Sequence, residues 1–176
     1  LYADHFPFRQ KESARGVRRT PFHEHLKSKG AVFGEVAGWE RANWFSNTGQ
    51  SDEYRYSWKR QNWFENSARE HMAVREHVGL YDMSTFGKIR VEGKDAESFL
   101  NYLCGANLSV DIGKIVYTQF LNSKGGIEAD VTVTRLSETT YLIVTPAATR
   151  LADETWLRRN QTVSYTHLRA HETQPY

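Results

Sequence analysis

At 176 residues the chain is long enough for one ordinary domain, or one domain with a piece of another. Its 23 basic and 21 acidic residues nearly cancel, leaving no electrostatic footprint for nucleic acid or an anionic membrane, and no apolar run approaches the roughly 20 residues of a membrane span. Cys104 is the single cysteine, which excludes an internal disulfide and is simplest in a reducing compartment. Five tryptophans are many for this length, and the crowding between Trp39 and Trp63 implies a surface wrapped against something rather than an ordinary loop. Leu1 opens the sequence without a signal-peptide pattern, which reads as a cut beginning.

Residues 1–21 carry aromatics and the cations Arg9, Lys11, Arg15, Arg18 and Arg19 without a clear period. Thr20 is placed to N-cap a short helix over residues 22–29, with Pro21 at its first position and Gly30 as its C-cap. Residues 31–36 are a strand candidate, 46–53 a polar loop, and 54–64 an alternation of aromatic and basic side chains. A helix is expected over residues 66–77, with Ser67 and Glu70 at capping-box spacing and Ala68, Met72, Val74 and Val78 along an apolar stripe. Residues 80–84 and 87–92 read as strand, turn, strand. Asp95 opens a second helix over residues 96–104, whose buried face is Phe99, Leu100 and Leu103. Residues 141–145 are read as the final strand, and residues 151–158 begin a last helix.

The chain is organised around residues 117–135, YTQFLNSKGGIEADVTVTR. Val116, Thr118 and Phe120 alternate with Tyr117, Gln119 and Leu121, the period of a strand. A turn follows whose Gly125 and Gly126 tolerate positive φ, and then the β-branched run Val131 to Thr134. Strict alternation puts Glu128 and Asp130 on one face and Ala129 on the other. Strands interleaved with helices and short hairpins indicate an α+β layer architecture.

Residues 70–75 (EHMAVR), 78–84 (VGLYDMS), 87–93 (GKIRVEG) and 125–130 (GGIEAD), in this order, resemble the folate-binding aminomethyltransferase domain of the glycine-cleavage T-protein. Residues 2–12 (YADHFPFRQKE), 20–25 (TPFHEH), 30–35 (GAVFGE) and 38–45 (GWERANWF) resemble the junction in sarcosine and dimethylglycine dehydrogenases, where a flavin oxidoreductase domain precedes the folate domain. The likeness covers roughly residues 1–161. It implies the end of an FAD-dependent oxidoreductase domain over residues 1–21 and the N-terminal portion of a folate-binding domain over residues 22–161.

The resemblance implies oxidation of an N-methyl amine such as sarcosine or dimethylglycine, with the one-carbon unit captured on tetrahydrofolate. FAD would be bound by the missing N-terminal domain. An anion is needed where positive charge develops at the folate nitrogens. In the T-protein pattern two adjacent acids follow the Gly-Gly turn and the first is catalytic. Here that column is Ala129, and the role is assigned to Asp130. Tyr117, Glu128, Ala129 and Asp130, with Tyr81, Met83 and Ser84, are the implied folate-pocket residues. Ordinary hairpin packing of Tyr117, and a structural hydrogen bond at Asp82, are the plainer alternatives. Thr145-Pro146 replaces a Ser-Asn pair and so lacks a side-chain amide for the pterin. A stand-alone aminomethyltransferase or folate-dependent demethylase, and a non-catalytic folate-fold binding module, are the competing functions.

His23, His25, His71 and His77 lack supporting cysteines or paired carboxylates, so no metal site is expected. Residues 30–34 (GAVFG) do not match a dinucleotide fingerprint, and Cys104 reads as a small core residue. Residues 162–176 show neither helical nor strand period and resemble an in-frame translation of a sequencing-library adapter. They are read as a non-native tail. With no targeting segment, the expected location is a bacterial cytoplasm, or a mitochondrial matrix in a eukaryotic source. The chain alone is expected to fold poorly and to be inactive.

Overall fold

The structure, a computed structural model, describes residues 4–47, 49, 51–161 and 167–171. They divide into two units, within residues 1–85 and 86–174.

The first unit begins with α1 (His23–Ser28) and the antiparallel pair β1 (Ala31–Val36) and β2 (Trp39–Phe45). Ala37 and Gly38 both take positive φ, 52° and 83°, which is the two-residue turn whose twist suits a hairpin. Thr20 does not cap α1. Its hydroxyl donates to Asp82 Oδ2 at 2.5 Å, so a tertiary contact has claimed the capping oxygen. Glu40 is buried, and its cost is offset by a two-pronged Arg15 contact (2.8 and 2.7 Å) and the Gly16 N–H (2.6 Å). The Arg15 hydrogen bond holds the Glu40 carboxyl below its usual range.

The aromatic stretch packs largely on itself. Trp44 is fully buried, stacked on Trp63 at 6.4 Å and edge-on to Tyr54 at 6.2 Å, while Trp58 remains exposed. Next, α2 (Phe64–Glu76) starts two residues earlier than predicted, with Ser67 inside it. The capping box does not form, because the Glu70 carboxylate accepts the Phe45 N–H at 2.7 Å instead. Met72, Val74 and Val78 are exposed, so the predicted apolar stripe is not a buried one. Residues 80–84 form no strand. Asp82 holds this segment through its side chain, accepting the Thr20 hydroxyl and the Ser84 N–H (2.9 Å).

The second unit is a five-stranded antiparallel sheet with helices on one face. Its elements are β3 (Gly87–Glu92), α3 (Ala96–Leu103), β4 (Ile115–Leu121), β5 (Ile127–Arg135), β6 (Thr140–Thr145), α4 (Arg150–Asn160) and β7 (His167–His171). The strand order is β4-β5-β6-β3-β7. Alternate residues Ile89, Val91, Phe120, Val131, Val133 and Ile143 meet Phe99, Leu100 and Leu103 of α3 and Leu157 of α4 in one core. Each such buried side chain contributes about 1.5–3 kcal/mol, which is what fixes the register of the alternating strands. Two expectations are corrected here. The strand at residues 140–145 is not the last, and residues 167–171, read as lacking strand period, pair with β3 as an edge strand. Residues 162–166 and 172–176 of the predicted tail lie outside the described residues.

Candidate functional site

On β4, Thr118 and Phe120 enter the core, which leaves Tyr117 and Gln119 on the opposite, open face. The register pairs Gln119 with Asp130 and Tyr117 with Thr132, so β5 presents Asp130 on that same face. The turn between them is built by Asn122. Its Oδ1 accepts the N–H groups of Lys124 (3.0 Å) and Gly126 (2.9 Å), and its own N–H meets the Gly126 carbonyl at 2.9 Å. Of the two glycines only Gly125 takes a positive φ, 77°. Gly126 is needed for space, since a Cβ there would sit 2.8 Å from Asn122 Nδ2.

Tyr117 is 64% exposed, so its ring is displayed rather than packed into the hairpin. Gln119 Nε2 donates to Asp130 Oδ1 across the strands at 3.5 Å. The Asp130 carboxylate, by hydrogen bonding, pushes the Tyr117 phenol above its ordinary range, and the Gln119 amide works against that shift. Among the described residues Asp130 has no ion-pair partner. This arrangement joins a carboxylate, a phenol and an amide on one solvent-facing sheet surface. Such a set can hold a flat polar ring and stabilise positive charge developing beside it.

Glu128 does not share this face. The β4–β5 register slips at Phe120/Leu121, leaving Glu128 unpaired in a β-bulge, and a bulge breaks the two-residue alternation. Glu128 is bonded to Asn122 Nδ2 at 2.7 Å and borders a depression with Leu151, Ala152 and Trp156 of α4. Ala129 is buried, 8% exposed, on the core side.

Tyr81 and Met83 lie in the first unit, where they line a cavity of about 490 Å³ with Phe33, Phe45, His71 and Val74. Ser84 is not on its wall. The structure thus groups Tyr117 with Asp130 on one surface and Tyr81 with Met83 on another. Gln119 was not foreseen as a site residue: counting outward from the five-residue turn puts it opposite Ala129, and it is the bulge at Glu128 that shifts its partner to Asp130. Cys104 is no nucleophile: burial pushes its thiol up to about 12, opposed by a hydrogen bond with Thr118. Among the described residues no cluster of three or more His, Cys, Asp or Glu side chains could hold a metal ion. No helix among them is long and apolar enough to cross a membrane.

The family model of the GCVT N-terminal domain matches residues 22–174. The chain is 48% identical over 159 residues to a 4-methylaminobutanoate oxidase (formaldehyde-forming) of Paenarthrobacter nicotinovorans, covering 90% of this chain and 19% of that protein. It is 33% identical over 162 residues to the mitochondrial sarcosine dehydrogenase of Homo sapiens, covering 77% and 17%. Against the mitochondrial dimethylglycine dehydrogenase of Rattus norvegicus it is 33% identical over 153 residues, covering 86% and 18%. The chain spans less than a fifth of the length of these relatives. The crystal structure of glycine cleavage system aminomethyltransferase T from Bartonella henselae matches with a TM-score of 0.72 at 28% identity, covering 88% of this chain and 38% of that one.

Proposed function

Because the chain belongs to the GCVT N-terminal domain family and has the fold of the N-terminal portion of an aminomethyltransferase T-protein, we propose that it is the one-carbon-accepting segment of a longer FAD- and folate-dependent oxidoreductase. In this reading the whole protein demethylates an N-methyl amine such as sarcosine or dimethylglycine and passes the carbon to tetrahydrofolate. Residues 1–21 belong to the end of the flavin domain, residues 22–161 to the folate domain, and residues 162–176 to a non-native tail. FAD is held by another part of the longer protein. A bacterial cytoplasm, or a mitochondrial matrix in a eukaryotic source, is its location.

The observation that carries the reading is Asp130, an exposed carboxylate beside the displayed ring of Tyr117 on an open sheet face. The fit to a pterin is chemical: a flat ring for stacking, with a carboxylate for its N–H groups. Tetrahydrofolate, as second substrate, supplies the nucleophilic nitrogens. Asp130 stabilises the positive charge that builds on them, and Tyr117 orients the ring. The family pattern also assigns Tyr81, Met83 and Ser84, and Glu128 and Ala129, to folate binding.

A second reading, a folate-fold module that binds without turnover, is favoured by one observation: Ala129 stands where the family pattern has its first acid, and it faces the core. The two separate on Asp130→Asn in the longer protein. Loss of the carboxylate is expected to lower methylenetetrahydrofolate formation by about 10²–10³-fold, with amine oxidation retained. Unchanged one-carbon transfer favours the binding module.

A further inference from the structure

The residue opposite Asp130 has no role in the reading above, yet it is the better anchored of the two. Gln119 is fixed on both edges of its strand. On one side it is in register with Asp130. On the other, its backbone carbonyl accepts the Gly105 N–H at 3.0 Å, and Cys104 bridges to Phe120 next to it. β4 is an edge strand, so without these contacts from the loop after α3 its outer side would be unpaired. Asp130, by contrast, is exposed, and its carboxylate turns on a single χ1–χ2 pair with no cation among the described residues to hold it.

We propose that Gln119 is a positioning residue for Asp130: its side-chain amide, aimed across the β4–β5 pair, holds the carboxylate upright beside Tyr117 on the open face. The proposal rests on the assignment of Asp130 to one-carbon transfer. At 3.5 Å the Gln119–Asp130 contact is long, as hydrogen bonds in sites without substrate often are. Tyr117 lies two residues before Gln119 on the same side of β4, so the amide stands on the strand face that carries both groups. A leucine or threonine has the size or the β-propensity for this half-buried strand position but no amide N–H to donate across it.

The test is a double-mutant cycle in the longer protein, with Gln119→Leu, Gln119→Thr, Asp130→Asn and the paired variants, following methylenetetrahydrofolate formation. Each single change at position 119 is expected to lower kcat about tenfold, leaving KM for tetrahydrofolate within about twofold and the melting temperature unchanged. In the Asp130→Asn background the same changes are expected to have no further effect, because the group they position is gone. Additive losses, a change in KM alone, or a neutral Gln119→Thr overturn the positioning role while Asp130 keeps its own. If Asp130→Asn leaves one-carbon transfer intact, the reading of Asp130 fails first, and the positioning role falls with it.

Discussion

At position 129 the side chain is a methyl group beneath the helices, whereas Asp130, one residue on, reaches the open face. A one-residue step on a strand reverses the side, so an acid restored at 129 would not be displayed beside Tyr117. Ala129→Asp is expected to cost about 3–5 kcal/mol by burying a carboxylate without a partner, read as a fall in the urea midpoint. Equal stability would mean that the site can turn this residue outward. Cys104 gives a second check at this scale. Its thiol is buried and pushed up to about 12, so in the folded protein at mildly alkaline pH it should resist an aromatic disulfide reagent and react fully only after denaturation. Rapid labelling of the native protein would contradict that burial.

Among the elements, α3 is tied to β5 and β6 by a polar network rather than by its core face alone. Glu97 accepts hydrogen bonds from Ser109 (2.6 Å), Arg135 (2.8 Å) and Tyr141 (3.1 Å), and these hold its carboxyl below the usual 4.5, with Ser109 the largest cause. A lowered folded-state value stabilises the fold above 4.5 and loses that contribution as pH falls through the folded value. Glu97→Gln should therefore flatten the acid side of a stability-against-pH curve, measured by urea unfolding, and an unaltered acid limb would contradict the network's role. Elements of this unit were legible where alternation was strict: β3, the hairpin of β4 and β5, β6 and the buried face of α3 follow directly from the apolar positions. Those misread were decided by polar side chains with tertiary partners. Thr20 and Glu70 each have an attractive local role as caps, and each is drawn instead to Asp82 or Phe45. Residues 167–171 pair with β3 although their own sequence has no strand period to announce it.

For the molecule as a whole, the order of several short constellations along the chain carried the family and the fold, because each marks a turn, a strand end or a helix start in a fixed succession. The site was less legible. Tyr117 and Asp130 were readable as strand residues thirteen apart around a turn, but the bulge that removes Glu128 from their face depends on cross-strand register, which no local pattern states. Gln119 was hidden for the same reason. The central claim is that the carbon removed from an N-methyl amine ends on tetrahydrofolate at the Asp130 face. The direct measurement supplies the longer protein with an amine labelled in its methyl carbon, with tetrahydrofolate present, and locates the label by NMR. The account predicts that it appears in methylenetetrahydrofolate, and that Asp130→Asn diverts it to free formaldehyde at an unchanged rate of amine oxidation. Label released as formaldehyde from the unmodified protein, whatever the tetrahydrofolate concentration, would contradict it.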